Sequence, residues 1–451
     1  MKNKMERTDL KIYKKIPLVL FAFIAIAVLM IPGVSASDGG EEGLNTVDMT
    51  WVIVASALVF MMAPGIALFY GGMLRKQSMT STISQCILAM GLVFFVWILV
   101  GYSLAFSGDM SGFIGNLDNI LAMNVPYDTS TLGYTIPDME FLIFQGMFAL
   151  VTACIVVGAT AERVRFPAIM AFLALWTILV YAPMAHMVWG GGLLSTGFGL
   201  ITTLDFAGGT VVHICSGISG IAIALVVGKR SAKTIKERPH NIPLMFLGAA
   251  LLWVGWLGFN GGSELGVDGI LINVLAVTLV SSAVSTIVWT LIQYFHVGRV
   301  SLSGICAGCL TGLVAITPGC GFVEVPAAII IGAIGATVCY FGVIFMRKKS
   351  GVDDALDVFG IHGIGGIWGA IATGIFAIPL LAWDGVGGLL YGDTALFFGQ
   401  IVAVAFTLVY CFVVSFAIMK GLSYVMRIRL TEEEEMIGAD IIEHGESAYN
   451  L

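Results

Sequence analysis

The chain has 451 residues, of which 58% are hydrophobic and 11% charged, against roughly 45–50% apolar and about 25% charged in ordinary soluble domains; this excludes a water-soluble globule. A formal charge of −7, from 22 Lys and Arg against 29 Asp and Glu, leaves no basic excess to neutralise a phosphate backbone and argues against nucleic acid as a partner. At about 20 apolar residues per span plus a loop, the length accommodates roughly ten to twelve helices of a polytopic all-α membrane protein.

Residues 1–15 carry Lys2, Lys4, Arg7, Lys11, Lys14 and Lys15, residues 16–31 are apolar, and Val34-Ser35-Ala36 supplies small residues. This order reads as a signal peptide over 1–36, cleaved after Ala36, with a retained first helix as the rival. Either way, residue 38 onward starts outside.

Eleven apolar stretches follow, at about 49–71, 81–106, 139–160, 167–189, 206–228, 243–262, 269–295, 302–318, 325–346, 357–381 and 395–426. The remaining basic residues group in alternate loops and at the C-terminal end, and none occurs in 107–139, 190–205, 263–268, 319–325 or 382–394. That positive-inside pattern predicts an outside N-terminus and a cytoplasmic C-terminus. The outer loops instead carry acids, among them Asp109, Asp138, Glu264 and Asp268, which raise the local concentration of cations. The eight cysteines lie mostly in apolar runs, where a thiol behaves as a small hydrophobe, and no disulfide framework is expected. Cys306 and Cys309 form a CxxC without the βαβ context of a redox motif and read as helix packing.

The fifth stretch opens with DFAGGTVVHICSGISG (205–220) and the tenth with DVFGIHGIGGIWGA (357–370): an Asp, glycines, then one His. Five helices per half is odd, so a duplicated half inserts upside down, and the pattern predicts a 5+5 inverted repeat, about 49–228 and 243–381, plus one extra helix. Substrate sites in such repeats lie near the bilayer midplane.

His213 stands eight residues beyond Asp205, about 12 Å along a helix, and His362 reaches a similar depth from the other side. Two imidazoles are thus predicted to meet at the centre, where ionisable groups mark ion or proton paths. A neutral imidazole offers one donor and one acceptor, which suits a small neutral polar molecule better than K⁺ or Na⁺. At the outer mouth, Phe144 and Phe148 fall i,i+4 on the third helix, Trp189 ends the fourth, and Trp256, Phe259 and Ser263 share one face of the sixth. Together they describe a cation–π cage above an apolar constriction. Asp205 reads as a helix cap that also adds negative potential beneath the cage, and Asp357 as the cap of the tenth helix. Glycines such as Gly217 and Gly363 let the two His-bearing helices approach closely.

DFAGGTVVHICSG, with AHMVWGGGLL (185–194), GWLGFNGGS (255–263), VDDALDVFGIHGIGGIWG (352–369) and the tail EEEEMIGADIIEHGESAY (432–449), resembles the ammonium transporter (Amt/MEP/Rh) family, on its Amt branch. The resemblance covers nearly all of the chain beyond the leader and implies a membrane domain over 45–426, in a homotrimer of the cell membrane with a pore through each subunit. It implies that Phe148, Trp189 and Ser263 form an outer ammonium site with Asp205 as acidic support. Phe148 and Phe259 would be a stacked gate, His213 and His362 the pore pair, and Phe144, Trp256 and Thr317 further pore-region positions. It also implies that 427–451 is a cytoplasmic regulatory tail packed across subunits, with a PII-type signal protein docking on that face; read from charge alone, the tail is a solvated terminus. Two other classes stay open: a secondary transporter of another amine or a metal cation, and a membrane sensor that binds ammonium with little flux. No cofactor or metal is expected. No nucleophile–base spacing or ligand cluster suggests an enzyme, and His186 reads as structural.

Overall fold

The computed structural model describes residues 43–196, 201–236 and 239–449; the leader read over 1–36 lies outside them, as does Arg238. The described residues are helical and contain no strand, only two isolated bridges. Eleven apolar helices run in order: α1 Thr46–Met73, α2 Met79–Phe106, α3 Asp138–Thr160, α4 Phe166–Trp189, α5 Gly209–Val227, α6 Ile242–Gly262, α7 Gly269–Val297, α8 Leu302–Ile316, α9 Val325–Lys348, α10 Phe359–Phe376 and α11 Thr394–Val425. Ten are long and apolar enough to cross a membrane. The exception, α8, has 15 residues, about 22 Å at 1.5 Å per residue. It stops short of the expected 318 because Thr317-Pro318-Gly319 turns the chain, with the Gly319 N–H bonded to the Ile316 carbonyl at 3.0 Å. α10 likewise ends before the expected 381, since Ala377 turns extended and Pro379 follows.

Helix starts follow local chemistry. The Asn45 side chain accepts from the Val47 and Asp48 N–H groups, Asp268 caps α7, and Ser301 caps α8, each satisfying orphan donors of a first turn.

The first helices of the two predicted halves, α1 and α6, pack along their length. A Cβ on Gly248 would stand 2.3 Å from the Phe69 nitrogen and 2.5 Å from the Gly65 carbonyl, so only glycine permits that approach. The fifth helices of the halves meet the same way: a Cβ on Gly217 would lie 2.6 Å from the Gly363 Cα. This crossing brings the two His-bearing segments together. Both segments open with a π-helical turn, Gly209–Ile214 and Phe359–Gly363, a geometry found mostly at functional sites.

The charge-rich terminus is not a solvated strand of chain. The Arg165 N–H donates to the Ile428 carbonyl and the Leu430 N–H to the Arg163 carbonyl, both at 2.9 Å. Thr431 and Glu434 then form a capping box that opens α12, Glu432–Ile437. Beyond it, the Asp440 carboxylate accepts from the Ser81 N–H at 2.7 Å and the Thr80 N–H at 3.1 Å, capping α2, whose own N-cap Ser78 makes no side-chain bond. The tail therefore lies on its own chain, a placement that charge patterning could not reveal.

Candidate functional site

Asp205 organises the start of α5. Its two oxygens accept from the N–H groups of Gly208 (2.8 Å), Gly209 (2.6 Å) and Thr210 (2.8 Å) and from the Thr210 hydroxyl. Gly208 holds φ +108°, which the turn into the π-helical segment requires. The Asp205 backbone carbonyl meanwhile accepts from Trp189 Nε1 at 2.8 Å, so one residue caps the His213 helix and fixes the Trp189 indole.

The corresponding cap of α10 is not Asp357. Asp354, eight residues before His362 as Asp205 is before His213, accepts from the Val358 N–H at 3.0 Å and the Phe359 N–H at 2.8 Å. Burial, with the Asp357 charge adding, raises the Asp354 carboxyl to about 7 against the pull of those N–H groups. Asp357 occupies the slot that Gly208 fills in α5, with φ +57°, and its carboxylate turns to Arg347 Nε at 2.8 Å. Matching the two segments by their aspartates therefore misplaced the cap by three residues; matching them by the distance to the histidine finds it.

A cavity of about 390 Å³ is lined by Phe148, Trp189, Asp205, Ser263, Gln145 and Glu264 among others. Trp189 meets Phe148 edge-on at 6.0 Å between ring centroids, and Ser263 commits its hydroxyl hydrogen to the Phe259 carbonyl at 2.9 Å, leaving its lone pairs as acceptors. At the floor, Phe148 and Phe259 stack with centroids 4.1 Å apart and planes at 19°, which leaves no opening between them. Below is a space of about 20 Å³ lined by His213, His362, Trp256, Phe259, Leu310 and Ile361 among others. A cavity needs about 10–15 Å³ to hold a water, so this one fits a single molecule of that size. Phe69, Leu356 and Ile361 also line a further cavity of about 320 Å³ that includes Arg347 and Lys348.

His213 and His362 face each other Nδ1 to Nδ1 at 3.3 Å. Of two neutral rings so bonded, one carries its hydrogen on Nδ1 and the other on Nε2, so the pair turns one bare Nε2 acceptor and one Nε2–H donor to its surroundings. His213 Nε2 is buried without a partner. The His213 ring is stacked against Trp256 at 5.4 Å and Phe259 at 6.0 Å.

Two expected positions stand behind this lining. Phe144 is wholly buried and packs edge-on against Phe148 at 5.0 Å, while Thr317 accepts from Trp256 Nε1 at 2.9 Å and so orients the indole that backs His213. His186 is buried elsewhere, its ring nitrogens 3.0 Å from the Ala105 carbonyl and 3.0 Å from the Asp109 carboxylate, tying α4 to the end of α2. Leu310 and Glu264 escaped the sequence reading as site residues; only the place of Glu264 beside Ser263 could have signalled it.

A profile described as the Ammonium Transporter Family matches residues 50–449. The chain is 46% identical over 402 residues to the ammonium transporter of Bacillus subtilis strain 168, covering 89% of this chain and 98% of that one. It is 41% identical over 403 residues to the ammonium transporter Amt1 of Archaeoglobus fulgidus, covering 89% and 99%. Among solved structures it resembles Candida albicans Mep2 with a TM-score of 0.82 at 35% identity over 90% of this chain and 91% of that one. A structure described as a sensor Amt protein gives 0.80 at 28% identity over 88% and 98%. By its matched length, its identities and its fold, the chain belongs to the ammonium transporter family, whose members are transporters rather than enzymes.

Proposed function

We propose that the chain carries ammonium inward across the cell membrane, recruiting the cation at the outer aromatic cavity and conducting it as ammonia along the paired histidines. The observation that carries this reading is the order of spaces: a 390 Å³ cavity with aromatic walls, a stacked Phe pair, and a 20 Å³ apolar slot against two mutually bonded imidazoles. Ammonium is held by Trp189 and Phe148 through cation–π attraction and by the Ser263 oxygen. It sheds its proton before the Phe148–Phe259 stack and crosses the slot with one hydrogen bond to a bare Nε2 and one from an Nε2–H. Potassium has no proton to lose and meets the full desolvation barrier. The hydrogen shared between the Nδ1 atoms makes the pair a relay, by which the proton left outside follows the ammonia inward. Basic residues in alternate loops support an N-outside, C-inside orientation, and an inverted repeat accounts for the matching caps and π-helical turns before His213 and His362.

Labelled methylammonium uptake into liposomes bearing the full chain tests this. Saturable uptake without a potassium current is expected. Trp189→Ala should raise half-saturation roughly 2- to 30-fold, the equivalent of about 0.5–2 kcal/mol of cation–π binding. Ligand binding with no flux would favour the sensor class instead.

The proposal extends to a homotrimer with a PII-type signal protein on the cytoplasmic face. Met436, Ile437 and Ile441 of the tail are half exposed and apolar, which suits contact with a neighbouring subunit. Deleting 427–451 is expected to abolish signal-protein binding in a pull-down; retained binding would count against that role. Because Asp440 caps α2, the same deletion should also lower thermal stability, so Ile437→Ser with Ile441→Ser serves as the milder probe.

A further inference from the structure

We infer that Glu264 is the fixed anionic group of the outer cavity, drawing small ammonium-type cations to the aromatic cage and setting the cavity's affinity for them. The inference rests on the transport reading above and adds to it a residue at the same site.

Among the described residues that line the 390 Å³ cavity, Asp205 and Glu264 alone carry charge, and both are negative. They are not equivalent. Asp205 is buried and spends both oxygens on the N–H groups and hydroxyl at the start of α5, whose donors neutralise most of its pull on a cation above. Glu264 is half buried, follows Ser263 directly, and its carboxylate accepts no hydrogen bond and pairs with no cation among the described residues. A carboxylate in a cavity walled by Phe148, Trp189, Phe206 and Trp383 acts through a medium less polar than bulk water, where it attracts more strongly. Gln145 also lines the cavity, its side-chain oxygen buried and accepting no hydrogen bond.

The groups around Glu264 do not supply a competing titration of opposite sign. Asp268 caps α7 through the Ile270 and Leu271 N–H groups, and Asp48 accepts from the Val267 N–H and the Thr135 hydroxyl. Tyr134 also lines the cavity, and the Cys320 thiol is buried. No Lys, Arg or His lines the cavity among the described residues. Burial, with the Asp268 charge adding, lifts the Glu264 carboxyl to about 7. The anion therefore prevails above that pH and is lost as pH falls through it, and a bound cation favours the anion in turn.

The experiment is methylammonium uptake by full-length chain in liposomes at external pH 8 and pH 6, across which methylammonium stays protonated. For the unaltered chain, half-saturation should rise about three- to tenfold from pH 8 to pH 6, the scale of one charge acting over several ångströms in a partly wet cavity. Glu264→Gln should show at pH 8 the weak half-saturation of the unaltered chain at pH 6 and stay flat between them, with maximal rate preserved. Glu264→Asp, which keeps the charge, should retain most of the pH 8 affinity. Equal half-saturation in Glu264→Gln and the unaltered chain at pH 8 would overturn the inference, as would a flat pH profile in the unaltered chain, which needs no variant to fold. Trp189→Ala separates the two readings: if it weakens half-saturation while Glu264→Gln does not, the cage stands without its anion, and if it has no effect, the cage itself fails.

Discussion

Replacing His213 and His362 together by alanine is expected to reduce methylammonium uptake by at least about 30-fold while the protein still folds. On the proposed path, ammonia occupies a slot lined largely by apolar side chains, Phe259, Leu310 and Ile361 among them, with the two imidazoles as its hydrogen-bonding partners. A buried polar group left unsatisfied costs about 1–3 kcal/mol, and each 1.36 kcal/mol in a barrier is tenfold in rate. Losing a donor and an acceptor together, about 2–6 kcal/mol, therefore reaches roughly one and a half to four decades. The single variants should differ in kind from the double. With one ring left, its Nδ1 loses its partner and the slot loses the fixed alternation of donor and acceptor, so proton relay stops before ammonia passage does. A current recording against labelled uptake distinguishes the two: charge movement should fall further than flux in His213→Ala or His362→Ala. Uptake that survives in the double variant with potassium still excluded would show that the apolar walls alone carry selectivity.

Much of this arrangement is legible in the sequence because the membrane simplifies the code. Apolar runs near 20 residues become helices with few alternatives, and charge asymmetry in the loops argues for one orientation. Within that frame, His213 and His362 stand out as ionisable groups at depth, and i,i+4 spacing puts Phe148 over Phe144 and Ser263 over Phe259. What could not be read was which neighbour uses each polar atom. Asp205 and Asp357 look alike in sequence, yet one caps and the other holds Arg347, with Asp354 doing the capping. The reason is backbone conformation: position 357 sits at positive φ where α5 has glycine, and no side-chain pattern announces that. The tail was illegible for a related reason. EEEE reads as solvated charge, but Glu435 is wholly buried: its carboxylate takes the distant Ser231 N–H and the nearby Arg429, and its carbonyl takes Arg75, and the contacts with residues 75 and 231 are invisible to local composition.

That convergence sets the second large effect. Glu162 accepts from the Arg75 N–H at 3.1 Å and Nε at 3.0 Å with one oxygen and from Arg230 Nη1 at 2.8 Å with the other. Arg230 also spans Asp353 through Nε at 2.9 Å and Nη2 at 2.8 Å. Arg75 reaches on to the Glu435 carbonyl at 2.8 Å, and the Glu435 side chain accepts from Ser231 N–H at 2.8 Å and Arg429 Nη2 at 2.7 Å. One buried cluster thus joins the end of α1, the α3–α4 turn, the end of α5, the segment before α10 and the tail. Removing one partner of a buried pair costs about 3–5 kcal/mol because the remaining charges lose their compensation. Glu162→Ala should therefore lower the unfolding midpoint by roughly 5–10 °C, and Glu162→Gln by less, since its amide oxygen still accepts from Arg75. Acid should reproduce the loss. Burial alone would raise the Asp353 carboxyl, but the hydrogen bonds from Arg230 and the charges of Arg163 and Arg230 outweigh it and hold the group at about 2. Its stabilising contribution is complete above the ordinary carboxylate range and disappears as pH falls from about 4 toward 2. Thermal unfolding of the purified protein followed from pH 7 to pH 3 should show the unaltered chain losing stability over the lower part of that range. Glu162→Ala, already missing half of the cluster's anions around Arg230, should begin lower and fall less steeply. A Glu162→Ala chain as stable as the unaltered one would mean that Arg75, Arg163 and Arg429 are held by their backbone carbonyl partners, such as the Gly228 and Ala159 oxygens that accept from Arg163, and that Glu162 adds nothing to the tie between the tail and the helices.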